Sequence, residues 1–256
     1  MPVDFLEVIQ QKRNSSKTNQ SSTNRPEPTP IEELIAAAQQ QVLDDLDLPK
    51  RYRHKDFDNY DISKLANENP EKLLEAVKGF ASNFVNSWNE NNWLILSGGC
   101  GVGKTHLAVA ALKEAARQRV AYKINKSQSS WFKAGSRMAG FFIFKSSSAI
   151  IHEIKASYSA NELSEHETLT KYMNCQLLVL DDLGTERASE WQQEKLHLLL
   201  NHRYNEMMPT IITTNLGLTE LNKQVGKRVV DRIFEAACHG DNLWKLRGKS
   251  QRRTVI

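Results

Sequence analysis

Cysteine is scarce: Cys100, Cys175 and Cys238 are the only three in 256 residues, scattered and odd in number. No C-x-x-C pair occurs, and the seven histidines form no cluster with ligand spacing. A disulfide framework and a zinc module are therefore not expected, and a reducing compartment, the cytoplasm, is. Cys238-His239 stands alone and reads as structural. No apolar run approaches the roughly 20 residues that span a membrane, and no leader pattern opens the chain, so neither insertion nor export is expected. A strong charge imbalance is missing too. Lys and Arg number 34 against 30 Asp and Glu, a net charge of +4 that permits contact with nucleic acid without requiring it. With 40% hydrophobic and 25% charged residues, the composition is that of a globular chain: one large domain, or one with a small appendage.

What is present centres on Gly98-Gly99-Cys100-Gly101-Val102-Gly103-Lys104-Thr105. The apolar run Trp93–Ser97 precedes it, and His106–Leu112 follows with a helical pattern. Strand, Gly-rich loop ending in Lys-Thr, then helix is the context of a phosphate-binding loop. Glycines let successive N–H groups turn inward, the helix N-terminus adds positive potential, Lys104 reaches the outer phosphates, and the Thr105 hydroxyl suits Mg²⁺. Residues 98–106, His106 included, are the expected nucleotide-binding set.

The second signal is Leu177-Leu178-Val179-Leu180-Asp181-Asp182. A buried parallel strand delivers its last residues to the sheet edge where ligands bind. Asp181 is expected to hold Mg²⁺, and Asp182 to orient or deprotonate the attacking water. Thr210–Asn215 is a second β-rich run ending at the same edge, which makes Asn215 a candidate for the γ-phosphate or the water.

The remaining chain reads in order. Residues 11–30 are polar and end in Pro26-Glu27-Pro28-Thr29-Pro30, the composition of a linker. A helix follows from Ile31, with Leu34, Ile35, Ala38, Val42, Leu43 and Leu46 on one face. That face docks either on this chain or on a partner, and the linker before it favours a partner. Lys50–Lys55 is a basic run, read as solvated surface in preference to an anion site. Asn69-Pro70 caps a helix that buries Leu73, Val77, Phe80 and Phe84. Between Arg117 and Ile151 lie seven bases and no acid, interleaved with aromatics. Phe141–Phe144 reads as a buried strand, and residues 123–139, with Trp131 and Phe132, as a solvated insertion or a contact with single-stranded DNA.

Together these motifs resemble the AAA+ ATPases of the DnaC/DnaI/IstB group, and most of all its DnaC-type helicase loaders. Phe57-Asp58-Asn59-Tyr60, Gly226–Ile233, Gly240–Trp244 and Ser250-Gln251-Arg252 carry the same resemblance over residues ~55–256. It implies an α/β fold: an AAA+ P-loop NTPase core (51–256) with a parallel sheet flanked by helices, after a small helical N-terminal region (1–50). It further implies weak Mg²⁺-dependent ATP hydrolysis, governed by assembly and DNA. The N-terminal region would grip a DnaB-type hexameric helicase, and the ATPase domains would assemble in a spiral on single-stranded DNA. Arg228 is then the arginine finger for a neighbour's ATP, with Arg232 an alternative, and Arg252, or Arg253, the second sensor. An IstB-like regulator of a transposase is the other reading within the group. The chain departs from the pattern in Asp182, where many AAA+ proteins carry Glu, in Gln251 of the last motif, and in the 120–140 insertion.

Overall fold

The computed structural model describes residues 29–85, 93–127, 141–157, 164–185, 188–238 and 242–251. Five strands form one sheet in the order β2-β3-β4-β1-β5, and every pairing is parallel. They are β1 (Trp93–Gly98), β2 (Phe142–Ser146), β3 (Leu177–Asp181), β4 (Thr210–Thr214) and β5 (Leu243–Leu246). Helices cover both faces, so the strands read as apolar runs whose alternate residues enter opposite cores. Leu94, Leu96, Leu177, Val179 and Ile211 enter one; Trp93, Ile95, Leu178, Leu180 and Ile212 enter the other.

The first face carries α1 (Pro30–Asp44), α2 (Pro70–Ser82) and the long α3 (Lys104–Ser127). Thr29 and Glu32 form a capping box at the start of α1, with Pro30 in the first turn. Its apolar face lies on α3 and not on a partner: Ala38 and Val42 are buried there, and Gln39 donates to the Arg117 carbonyl at 3.1 Å. The composition of residues 11–30 is silent about where the next helix lands, and the apolar surface of α3 was the nearer partner. Asn69 caps α2 as its sequence implies, accepting from the Lys72 N–H at 2.9 Å. The second face holds α4 (Ser147–Ala156), α5 (Glu165–Asn174), α6 (Glu190–Asn205), α7 (Leu218–Val225) and α8 (Lys227–Cys238). Among the described residues, no helix is long and apolar enough to cross a membrane.

The two ends of this core meet. After β5 the chain bridges back to Leu65 through Gly248, with Ala66 N–H donating to Arg247 O (2.8 Å) and Lys249 N–H to Lys64 O (2.9 Å). Gly248 has φ +145°, and a Cβ there would stand 2.1 Å from the Lys64 carbonyl. That close approach brings Ser250 and Gln251 onto the loop after β1.

Candidate functional site: a phosphate cradle at the sheet edge

Strands β1, β3 and β4 all end at one edge because all are parallel, and the loop after β1 turns there into α3. Gly101 and Gly103 adopt φ +81° and +102°, which side chains disfavour. Space is short as well: a Cβ on Gly103 would lie 2.6 Å from the Tyr60 ring, and one on Gly101 2.6 Å from the Ser250 hydroxyl. Tyr60 braces the loop by donating its hydroxyl to Val102 O at 3.1 Å, and Gln251 N–H donates to Gly101 O at 2.7 Å.

Lys104 is buried, and its ammonium donates to Gly98 O (2.9 Å), Gly99 O (2.7 Å) and Asn215 Oδ1 (2.7 Å). Asn215, at the end of β4, also approaches Asp182 Oδ1 with its amide nitrogen at 3.5 Å. The loop lysine, the acid just after β3 and the residue just after β4 therefore form one chain of contacts.

Asp181 is 4% exposed, and its Oδ1 accepts from Thr105 Oγ1 at 2.9 Å and from Thr213 Oγ1 at 2.6 Å. Burial pushes its carboxyl up, the Thr213 hydroxyl pulls it down, and the Asp182 charge raises it again; the net direction is up. Thr213 in turn accepts the Asp182 N–H at 2.9 Å, so one hydroxyl sets both acids. Asp182 sits at φ +53°, a turn conformation that lifts it out of the strand direction. Thr105 and Asp181 thus offer adjacent hard oxygen donors, which suit Mg²⁺ when phosphate oxygens and water complete the shell. Among the described residues no group of three His, Cys, Asp or Glu gathers as a metal site.

His106 lines the cavity, but its Nε2 contacts Asp56 O at 2.8 Å and its ring meets the Tyr60 ring edge-on at 5.1 Å. Burial, opposed by the Asp56 carbonyl, lowers its pKa. The ring thus braces the segment that packs on α3. Cys100 is exposed in the loop, and Cys175 is buried.

The cavity over the loop has a volume of about 340 Å³, and three of its lining residues come from the basic run: Arg51, Tyr52 and Lys55. Lys50, Arg51, Arg53 and His54 are exposed, as the solvated-surface reading expects, and the run also borders the cleft. A charge run looks the same in sequence whether it faces bulk water or a cleft. Three further residues were missed, Tyr60, Thr213 and Gln251. The threonine richness of Thr210–Thr214 was a visible signal for Thr213, since a buried strand has no need of hydroxyls.

The arginines divide. Arg228 is exposed on the first turn of α8, away from the cavity lining. Arg232 pairs with Glu235 at 2.9 Å and lies over the Tyr204 ring at 4.8 Å. Arg252, Arg253 and residues 128–140, the body of the basic insertion, lie outside the described residues. Of the bases flanking it, Arg117 pairs with Asp56 at 2.7 Å and Lys145 with Asp47 at 3.0 Å.

Comparison with known proteins agrees with this geometry. The family model described as IstB-like ATP binding protein matches residues 6–129 and 131–255. The replicative helicase loader DnaC of Escherichia coli K12 is 25% identical over 191 residues, 74% of this chain, and the chain spans only 65% of that relative's length. The DnaC of Buchnera aphidicola from Schizaphis graminum is 23% identical over 246 residues, 95% of this chain and 87% of that one. A crystal structure of the DnaC helicase loader superposes with a TM-score of 0.59 at 31% identity, covering 78% of this chain and all of that one. With a parallel P-loop core and a match over nearly its whole length, the chain belongs to the IstB-like ATP-binding family of AAA+ proteins and is similar within it to the DnaC loaders.

Proposed function

We propose that the protein is an ATP-dependent helicase loader that binds a DnaB-type hexamer and places it on single-stranded DNA. The observation that carries this reading is the similarity to a solved DnaC loader over the whole of that chain, joined to a complete phosphate cradle with two acids at its edge. In this reading the Gly98–Thr105 loop and α3 hold the triphosphate, and Lys104 leaves its own loop carbonyls for the outer phosphates. Thr105 and Asp181 hold Mg²⁺, which supplies charge neutralisation on the phosphate oxygens. Asp182 accepts a hydrogen bond from the attacking water and then its proton, and Asn215 orients that water while steadying Lys104. Arg228, carried in the open on α8, reaches the ATP of a neighbouring subunit. Arg252 serves as sensor for the subunit's own γ-phosphate. Hydrolysis then depends on assembly, because a finger supplied by a neighbour stabilises charge only once the neighbour is seated.

The segment before the core, residues 1–50, is the helicase-binding region in this reading. With α1 seated on α3, the part left for the helicase is residues 1–28. The protein works in the cytoplasm, assembling on DNA in a spiral. The other reading is an IstB-like ATPase that regulates a transposase, in keeping with the IstB-like description of the family. The two differ in partner, not in chemistry.

The test mixes the protein with a DnaB-type hexamer, ATP and circular single-stranded DNA, and measures helicase transferred to the circle. Transfer is expected with wild type and is expected to be lost in Lys104→Ala. Binding to a transposase with no binding to the hexamer would move the assignment to the second reading. Arg228→Ala is expected to bind ATP without hydrolysing it, and mixing it with Lys104→Ala subunits is expected to restore turnover. Normal hydrolysis by Arg228→Ala alone would remove the finger assignment.

A further inference from the structure

We infer that Arg51 is a ligand of the nucleotide's terminal phosphate, delivered in the same subunit by the turn that precedes the ATPase core. The inference rests on the ATP reading above and adds a residue that lies outside the loop and both acids.

The turn Lys50–Tyr52 comes over the cradle from the N-terminal side. Arg51 and Tyr52 line the same cavity as Lys104, Thr105, Asp182 and Asn215. The Tyr52 ring tilts against Phe144 of β2, with centroids 5.5 Å apart, and the Arg51 guanidinium carbon sits over the Tyr52 ring, 4.7 Å from its centroid. A guanidinium held on an aromatic ring keeps its in-plane N–H donors free to point outward. Tyr52 is at the metal end of the cradle: its ring partner Phe144 lies opposite Val179 of β3, two residues before Asp181, which accepts from Thr105, and Tyr52 and Thr105 line one cavity. Arg51, stacked on Tyr52, therefore stands on the side where β- and γ-phosphates meet Thr105.

The turn is fixed to the helix that carries the other phosphate ligands. Lys113 of α3 donates to Arg53 O (2.6 Å) and Lys55 O (2.8 Å), and Arg117 of α3 pairs with Asp56 (2.7 Å). His106, one position beyond Thr105, contacts Asp56 O. These contacts set the backbone of residues 53–56 against the same rod that positions Lys104 and Thr105. Arg53 faces elsewhere. Its Nε donates to Leu48 O at 3.1 Å, and it is absent from the cavity lining. A planar guanidinium matches phosphate oxygens in a bidentate way, which suits Arg51 to a terminal phosphate in this cavity.

The test titrates ATP and ADP, each with Mg²⁺, into full-length wild type, Arg51→Ala, Arg51→Lys and Arg53→Ala, and reads the ratio of the two affinities within each variant. Arg51→Ala is expected to weaken ATP about tenfold and ADP less than about twofold, the loss of one charge-assisted contact at a partly exposed site. Arg51→Lys should fall between, and Arg53→Ala should match wild type. A ratio unchanged by Arg51→Ala, whether both affinities hold or both fall together, overturns the inference. Wild type that binds neither nucleotide would instead sink the ATP reading beneath it. Because the ratio is taken within one preparation, a partly unfolded variant does not imitate the expected result.

Discussion

The clasp between Asp56 and Arg117 permits a quantitative test of how the basic turn is held over the cradle. The pair is close to bidentate, with Nη2–Oδ2 at 2.7 Å and Nη1–Oδ1 at 3.5 Å, and the side chains are 27% and 24% exposed. Exposed ion pairs contribute about 0.2–1 kcal/mol, and breaking a fully buried one costs about 3–5 kcal/mol. A pair three-quarters covered falls between, and we expect a coupling of about 1–2 kcal/mol. Asp56→Asn suits the experiment because it keeps an oxygen for the Phe57 N–H that Asp56 caps at 2.9 Å. Arg117→Met keeps the stem and removes the guanidinium. Urea unfolding of wild type, both single variants and the double variant isolates the pairwise term, provided the slopes agree. Acid supplies a second arm. Burial alone would raise the Asp56 carboxyl, but the Arg117 guanidinium outweighs it and holds the group below the usual carboxylate range. A lowered folded pKa means the unfolded chain binds more protons in that window. The coupling is therefore fully present above about pH 4, the ordinary Asp value, and fades as pH falls through the folded one. A coupling under about 0.3 kcal/mol at pH 7, or one indifferent to acid, would refute the clasp as a working contact.

Two further outcomes follow from particular side chains. Arg203 is fully buried and donates to the carbonyls of Tyr172, Met173, Cys175 and Pro209, so Arg203→Met should cost about 4 kcal/mol at roughly 1 kcal/mol for each stranded carbonyl; a loss below about 1 kcal/mol by urea unfolding would show that shedding a buried charge offsets it. Cys100 is exposed in the phosphate loop and Cys175 is 3% exposed, so iodoacetamide should modify Cys100 in the native protein and spare Cys175. ATP should slow modification of Cys100, as read by peptide mass spectrometry, and equal rates with and without ATP would place the nucleotide elsewhere.

The strongest parts of the site were legible because they are local. The eight residues Gly98–Thr105 form the loop from consecutive positions, since the glycines that adopt positive φ and the lysine that reaches over them are neighbours in the chain. The apolar run ending in Asp181-Asp182 is likewise one strand, and parallel strands end their runs at a common edge. Asn69-Pro70 announced a helix start because a cap is made within one turn. β5, by contrast, is four residues, Leu243–Leu246, of alternating exposure, too short to show a period before its pairing with β1 is known.

Contacts between distant positions had no such local signature. That α1 lies on α3, that Tyr60 backs Gly103, that Thr213 sets both acids and that Gln251 closes on Gly101 are facts about residues 31 to 150 positions apart, joined only by the packing of the sheet and the return of the C-terminal segment. The basic run is the sharpest case. Its charge is plain in the sequence, but whether Arg51 meets water or a phosphate depends on Lys113 and Arg117 drawing the turn across α3. Sequence alone determined the chemistry of the cradle, because that chemistry resides in consecutive residues. The tertiary structure decided which distant side chains complete it, because only folding brings Tyr60 and Gln251 to the same sheet edge as the loop.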